Sequence, residues 1–250
     1  MNRKILITGG SGYLGGFVIE QLSDCYELTV FDQVQPARDV RFIKGDITKY
    51  EDINDACQGQ DAVVHLIALV RGRSAKTHED FADIMLKGTW NVAAASVNNG
   101  ICRLVNISSI IAIGPPQPRD NPFCETDPTD FKAGDLYYCL SKNLCEHIGN
   151  AYHQAHGLSV IHIRPGVIEG DGSNPGPKEP VKPGQPWFIY VSPKDVAQAV
   201  QGALETEVTN GAYNIVAGRQ DSLYDISSAR RDLGFDPKFN WPEIEGINHE

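Results

Sequence analysis

The sequence predicts an α/β fold built on a doubly wound parallel sheet. Short apolar strands alternate with segments of helical spacing, and a glycine-rich turn follows the first strand directly. Strands that alternate with helices favour parallel pairing through right-handed crossovers. The predicted strands cover residues 4–8, 26–32, 40–44, 61–66, 103–108 and 158–164.

Helices and loops are predicted between these strands. The helices cover residues 15–23, 49–57, 79–97 and 137–156, and Thr48 is the expected N-cap of the second. Strand 61–66 is almost wholly apolar, which is typical of a strand buried on both faces. Glycine and proline predict long loops at 114–135 and at 170–186. The second loop is a candidate lid, and Trp187 and Phe188 after it could form a substrate wall or simply pack.

Composition disfavours several classes of protein. The 250 residues carry a formal net charge of −10, whereas a nucleic-acid surface needs clustered lysine and arginine. The six cysteines are scattered without a Cys-x-x-Cys pair, so we expect free thiols and a cytoplasmic location. The first apolar run, residues 5–7, is too short for a signal peptide or a membrane span.

Residues 8–15 form a candidate phosphate-binding loop. Gly9 or Gly10, with Gly12 and Gly15, follows a predicted strand and opens a predicted helix. In this context one glycine makes a tight turn, one lets the backbone approach a pyrophosphate, and one allows close packing of helix on strand. The free N–H groups and the dipole at the helix amino end favour an anion. The loop therefore predicts a bound dinucleotide.

Two acidic residues end the next two strands. Asp32 can accept hydrogen bonds from an adenosine ribose and would repel a 2′-phosphate. It therefore favours NAD over NADP, although Arg38 and Arg41 lie nearby in sequence. Asp46 is positioned to reach an adenine edge.

Tyr138 and Lys142 are candidates for proton transfer. Their i, i+4 spacing places both side chains on one face of a helix. A nearby ammonium and an oxidised nicotinamide both favour the phenolate, so we expect the pKa of Tyr138 to lie below its ordinary value of about 10. Ser108 and Ser109 end the preceding strand, at the edge where doubly wound folds bind ligands. A serine hydroxyl there can hold a substrate oxygen and stabilise developing charge.

These motifs resemble the extended short-chain dehydrogenase/reductase superfamily, and within it the NAD-dependent epimerase/dehydratase family, which has a Rossmann-type fold. The likeness covers most of the chain. The segments that carry it are residues 8–15, His65-Leu66-Ile67-Ala68, Lys87-Gly88-Thr89-Trp90-Asn91, residues 108–114, Tyr138-Cys139-Leu140-Ser141-Lys142 with Glu146, Arg164-Pro165-Gly166-Val167, residues 194–197 and residues 224–235.

The resemblance implies an NAD-dependent oxidoreductase with three catalytic residues. Ser109 would orient the substrate, Tyr138 would transfer a proton, and Lys142 would tune Tyr138 and hold the nicotinamide ribose. The implied cofactor-binding residues are Gly9, Ser11, Gly12, Tyr13, Leu14, Gly15, Asp32, Asp46, Ile47, Leu66, Ile67, Ala68, Tyr138, Lys142, Pro165, Gly166 and Val167. Residues 1–166 would form the dinucleotide-binding domain, and residues 167–250 a small, trimmed substrate-binding lobe interleaved with the last strands.

Three departures from the family pattern narrow the activity. Met85 stands where the family often has an asparagine, three residues before the Gly-Thr pair. Ile110 and Ile111 follow Ser109, where sugar-nucleotide dehydratases carry Asp-Glu and hexuronate dehydrogenases carry Asn-His. Isoleucine transfers no proton, so a dehydratase is disfavoured. The C-terminal part is also shorter than a lobe that grips a nucleotide diphosphate.

We therefore expect an NAD-dependent dehydrogenase or reductase that acts on a sugar, a sugar acid or a related hydroxy/keto compound. A nucleotide-sugar epimerase with tightly bound NAD is the first alternative, and a catalytically weak NAD-binding regulatory protein is the second. The expected partner is a small, carbohydrate-derived substrate, with no membrane or nucleic acid, and a homodimer is possible because family members often pair through the Tyr138 helix. The histidines lack metal-ligand spacing with cysteine or acidic residues, so we expect no metal.

Overall fold

The computed structural model describes residues 3–69, 77–117, 119–132, 135–170, 189–220 and 222–239. Seven strands form its central sheet: β1 (Lys4–Thr8), β2 (Glu27–Asp32), β3 (Arg41–Lys44), β4 (Ala62–His65), β5 (Arg103–Ile107), β6 (Ser159–Pro165) and β9 (Asn210–Ile215). Their order is β3-β2-β1-β4-β5-β6-β9, and each pairs with its neighbours in parallel. The predicted doubly wound parallel sheet is confirmed.

Helices connect these strands. They are α1 (Tyr13–Leu22), α2 (Tyr50–Ala56), α3 (His78–Asp80), α4 (Gly88–Asn98), α5 (Leu136–His156), α6 (Pro193–Glu205) and α7 (Ser227–Leu233). A π-helical segment, Phe81–Lys87, joins α3 to α4, and a 3-10 turn, Ile110–Ile113, follows β5. Two short strands, β7 (Val167–Ile168) and β8 (Tyr190–Val191), pair in parallel outside the main sheet.

The core lies on both faces of the sheet because successive side chains of a strand point to opposite sides. On β1, Ile5 and Ile7 pack in one apolar cluster with Val18 of α1. Leu6, between them, belongs to a second cluster with Val92 of α4. All four residues of β4 are buried, as expected for a strand covered on both faces.

The predicted element boundaries need local corrections. Helix α1 begins at Tyr13 rather than at Gly15, so the glycine loop is shorter than the sequence indicated. Thr48 is not an N-cap: α2 begins after Lys49, and no side chain caps it. The Thr48 hydroxyl instead donates to Asp46 Oδ1 over 2.8 Å, and this local hydrogen bond competes with a capping role.

The C-terminal half contributes to the same sheet. Strand β9 lies beside β6, and α6 carries residues that join the core cluster of α1. The buried carboxylate of Asp195 accepts hydrogen bonds from the backbone N–H groups of Lys238 and Phe239, over 2.9 and 3.1 Å, which fixes the end of the described chain. The division into two parts at residue 166 stays a prediction. Within the described ranges, no helix is both long and apolar enough to cross a membrane.

Candidate active site

A cavity of about 580 Å³ opens at the carboxyl edge of the sheet, beyond the ends of β1, β4, β5 and β6. Ligands bind at this edge in doubly wound folds. Its lining includes many of the predicted site residues: Gly9, Gly12, Tyr13, Leu14, Gly15, Leu66, Ala68, Ser109, Tyr138, Lys142, Pro165, Gly166 and Val167. Ser11, Asp32, Asp46, Ile47 and Ile67 do not line it.

The glycine loop is held tightly against the sheet. Gly9 has a φ of +78°, and a Cβ there would lie 2.8 Å from the side chain of Ile67. A Cβ on Gly15 would lie 2.2 Å from the Gly10 carbonyl oxygen, so the helix can pack on the loop only through glycine. No side chain caps the first turn of α1, whose N-cap is Gly12. This uncapped helix end with a close backbone fits the pyrophosphate of a dinucleotide.

Asp32 closes the loop at the end of β2. Its carboxylate accepts hydrogen bonds from the backbone N–H groups of Ser11 and Val34, over 3.1 and 3.3 Å. Arg38 is paired with Glu20. Arg41 lies beside Thr29 in the sheet, three residues before Asp32.

Asp46 and Ile47 lie farther along this edge. The Asp46 carboxylate accepts hydrogen bonds from the backbone N–H and the hydroxyl of Thr48, over 3.0 and 2.8 Å. Burial opposes ionisation, but these bonds outweigh it and lower the pKa of Asp46. The backbone carbonyl of Ile47 accepts a hydrogen bond from the Asn91 side chain over 2.9 Å, which ties this turn to α4.

The two serines after β5 have different partners. The Ser108 hydroxyl donates to the carboxylate of Glu146, a buried side chain. The Ser109 hydroxyl accepts a hydrogen bond from the backbone N–H of Ile111 over 3.4 Å, and Ser109 lines the cavity beside Tyr138, whose pKa it acts to lower. The geometry therefore separates two candidates that the sequence alone left side by side.

Tyr138 lies in the first turn of α5, where the Asp135 carboxylate accepts its backbone N–H as the N-cap. Burial raises the pKa of Tyr138 to about 12, and the neighbouring Ser109 only partly opposes this. The prediction that Lys142 lowers the pKa of Tyr138 is therefore wrong for the protein without its cofactor. The phenol is held in a neutral form, because the apolar surroundings disfavour its anion.

Met85 contributes to those apolar surroundings. Its side chain is 1% exposed and belongs to a cluster with Phe81 and Leu69, against which Tyr138 packs. The Met85 carbonyl accepts a hydrogen bond from the Cys145 thiol over 3.4 Å. In place of the polar contact that the family's asparagine would provide, the chain has an apolar wall next to the tyrosine.

Lys142 lies one turn after Tyr138 and is 2% exposed. Its ammonium donates to the backbone carbonyl of Ile107 over 2.6 Å, at the end of β5. Burial lowers the pKa of Lys142 to about 8, although Cys145 and Glu146 act in the opposite direction.

A buried ion pair follows one further turn along α5. Arg164 of β6 donates from Nε and Nη2 to the two carboxylate oxygens of Glu146, over 2.8 and 2.7 Å. Its Nη1 donates to the Glu125 carbonyl over 3.1 Å, which ties the loop after β5 to the same pair. The pair therefore fixes α5, β6 and the serine turn relative to one another.

Sequence reasoning missed much of the wall beyond Ser109. It comprises Ile111, Pro116, Ile168, Glu169 and Ile189. Glu169 follows the Arg-Pro-Gly motif closely enough to have been a candidate, but the apolar residues carry no pattern that marks a ligand site. The candidate lid from residue 171 onward, with Trp187 and Phe188, lies outside the described residues.

Comparisons with known proteins identify the family of the chain. Residues 5–183 match the model of the NAD dependent epimerase/dehydratase family. The uncharacterized protein YtbQ of Bacillus subtilis is 27% identical, over 99% of this chain and 98% of its own length. The NAD-dependent glucose-6-phosphate dehydrogenase of Haloferax volcanii is 26% identical, over 98% and 96%. The crystal structure of UDP-N-acetylglucosamine 4-epimerase from Bacillus cereus superposes with a TM-score of 0.77 at 27% identity, over 96% of this chain and 94% of that one.

The family match covers more than half of the chain, and the fold is the one that the sequence motifs predicted. The chain therefore belongs to the NAD-dependent epimerase/dehydratase family, as an NAD-dependent enzyme of the extended short-chain dehydrogenase/reductase type.

Proposed function

We propose that the protein is a dehydrogenase or reductase that acts on a sugar, a sugar acid or a related hydroxy/keto compound through Ser109, Tyr138 and Lys142. The observation that carries this proposal is that Ser109, Tyr138 and Lys142 line one cavity together with the glycine loop. The names of the Haloferax volcanii dehydrogenase and the Bacillus cereus epimerase, both of which act on sugar derivatives, support a carbohydrate substrate.

The proposed mechanism assigns one task to each side chain. Ser109 donates a hydrogen bond to the substrate oxygen and orients it. Tyr138 Oη takes the hydroxyl proton during oxidation and returns it during reduction. Lys142, anchored on the Ile107 carbonyl, provides a positive charge on the same helix face. When bound, oxidised NAD supplies the hydride acceptor and a further positive charge that favours an ionised phenol.

The cofactor contacts are proposals of the same kind. Gly9, Gly12 and Gly15, with their neighbours Ser11, Tyr13 and Leu14, would hold the pyrophosphate at the amino end of α1. Asp32 would accept hydrogen bonds from the adenosine ribose. The remaining contacts would come from the turns after β3, β4 and β6 and from the helix: Asp46, Ile47, Leu66, Ile67, Ala68, Pro165, Gly166, Val167, Tyr138 and Lys142.

The test follows NADH absorbance when the purified protein is given NAD and a panel of sugars, sugar acids and sugar nucleotides. We expect NADH to form with a sugar or sugar acid, and Tyr138→Phe to lower kcat by about 10²–10⁴-fold. Tyr137→Phe is the matched control, because Tyr137 is 42% exposed and stacks on His78 instead. Equal loss in both variants would contradict the assignment. Absence of net NADH, while a sugar nucleotide changes its stereochemistry, would identify an epimerase.

We also propose that the protein forms a homodimer through α4 and α5. Trp90 is 59% exposed on α4, and Leu136, Leu140 and Leu144 form an apolar stripe on α5, exposed by 49, 37 and 36%. Exposed apolar side chains at i, i+4 spacing often mark an interface. Light scattering should give the mass of two chains, and the double variant Leu140→Glu, Leu144→Glu should give the mass of one. A monomeric native protein would exclude this assembly.

A further inference from the structure

We propose that Glu169 sets the charge preference of the site, so that the cavity takes an uncharged hydroxy or keto compound and discriminates against sugar acids and sugar phosphates. This inference rests on the proposed function, because it concerns the substrate end of the same cavity. It narrows that function by excluding the anionic members of the substrate class.

The substrate end of the cavity has apolar walls. Beyond Ser109 and Tyr138, its lining includes Ile111, Pro116, Ile168 and Ile189. Such walls offer no hydrogen bond to a carboxylate or a phosphate, and an unpaired anion is costly to remove from water. A substrate with uncharged, partly apolar faces suits them better.

Glu169 is the acidic residue and Lys142 the basic residue among the described residues that line the cavity. The Lys142 ammonium is directed at the Ile107 carbonyl and is buried on α5. In the proposed mechanism its charge serves Tyr138 and the cofactor rather than the far end of the substrate. Glu169 is half-buried in the wall itself, after β7, whereas Lys142 is anchored at the end of β5, and we infer that the Glu169 carboxylate faces an incoming substrate.

The backbone of Glu169 is fixed from both sides. Its N–H donates to the Val191 carbonyl over 3.1 Å, and the N–H of Val167 donates to the Ile189 carbonyl over 2.8 Å. The carbonyl of the next residue, Gly170, accepts a hydrogen bond from the Tyr13 hydroxyl. The segment that carries the carboxylate is therefore held at the cavity by the β7–β8 pair and by the glycine loop.

No ion pair to Glu169 occurs among the described residues, whereas Glu146 is paired with Arg164 and Glu20 with Arg38. A carboxylate that has no ion-pair partner in the described part of the chain repels a second anion in a partly enclosed site, because the local dielectric is lower than that of water. The same two oxygens accept hydrogen bonds from uncharged hydroxyl groups. Glu169 therefore favours a neutral polyhydroxy compound over its acid or phosphate.

The experiment compares kcat/KM for D-glucose and D-galactose with the values for their uronates and 6-phosphates, using NAD as the cofactor. Each set shares the ring and differs at C6; the uronates test charge at nearly constant size, and the 6-phosphates add size as well as charge. We expect turnover of a neutral sugar and a value at least about tenfold lower for its anionic forms. Glu169→Gln should reduce this preference about tenfold, and Glu27→Gln should leave it unchanged. Glu27 is exposed at the amino end of β2, away from the cavity, and its substitution changes the net charge equally.

The outcomes separate this inference from the proposed function. If the uronates or phosphates react as well as the neutral sugars or better, the inference is overturned while the dehydrogenase assignment stands. The inference also fails if Glu169→Gln leaves the preference unchanged. If no compound of either charge yields NADH, both the inference and the proposed function fail.

Discussion

Two charged side chains on α5, one turn apart, are buried to nearly the same degree but differ in their hydrogen-bond partners. Lys142 is 2% exposed and Glu146 is 5% exposed. Glu146 accepts two hydrogen bonds from Arg164 and one from Ser108. Lys142 donates to one backbone carbonyl, that of Ile107, among the described residues.

The pKa values follow from this difference. Burial alone would raise the pKa of Glu146, but the hydrogen bonds and the charge of Arg164 outweigh it and keep the pKa low. Burial lowers the pKa of Lys142 to about 8, and the charges of Cys145 and Glu146 oppose this only in part. We call a charge saturated when hydrogen bonds and an opposite charge within the protein satisfy it, as for Glu146, and undersaturated when they do not, as for Lys142. A saturated charge fixes elements of the fold, whereas an undersaturated charge at a cavity remains available to a ligand.

The first prediction breaks the saturated pair. We expect Arg164→Met to lower the free energy of unfolding by about 3–5 kcal/mol, because it leaves the Glu146 carboxylate buried without its partner. Urea denaturation at neutral pH measures this loss. The double variant Arg164→Met, Glu146→Leu should recover most of this loss, since neither charge of the pair remains buried. A single variant within about 1 kcal/mol of the native protein would show that the pair does not hold the fold together.

The second prediction concerns the undersaturated charge. The pKa of Lys142 falls from 10.5 to about 8 on folding, so between these values the unfolded chain binds more protons than the folded protein. The free energy of unfolding should therefore rise with pH across that window, by about 3 kcal/mol in total. Lys142→Met should lack this rise and should be more stable than the native protein near pH 7.

Urea denaturation at several pH values from about 7 to about 10 measures the difference between the native protein and Lys142→Met. The difference cancels the titration of other groups, such as the tyrosines, that both proteins share. Lys132→Met is the matched control, because the Lys132 side chain is 85% exposed. A difference that stays constant with pH would mean that the folded protein does not depress the pKa of Lys142.

The residues around Lys142 show which features of the fold and the site could be predicted from the sequence. Alternating apolar segments predicted the sheet, and the spacing of Tyr138 and Lys142 placed both on one helix face because helical geometry is local. The pKa of Tyr138 was expected to fall, yet it rises to about 12. That value depends on Phe81 and Met85, which reach the tyrosine only through tertiary packing. Glu169 likewise lines the cavity because β7 pairs with β8, and no local sequence pattern predicts this pairing.

The last prediction, with the smallest expected effects on stability, concerns the two serines after β5. It tests whether Ser108 supports the buried Glu146 pair and Ser109 acts in the active site. Ser108→Ala removes one of the hydrogen bonds to Glu146, so we expect a loss of about 1–2 kcal/mol in the free energy of unfolding and a kcat within a few-fold of native. Ser109→Ala removes the hydroxyl beside Tyr138, so we expect about the native stability and a kcat lower by about 10²-fold. Denaturation and NADH formation, measured on both variants, distinguish the two roles. If Ser108→Ala lost activity and Ser109→Ala lost stability, the assignment of the two hydroxyls would be reversed, and Glu146 rather than Tyr138 would be the neighbour of the reacting oxygen.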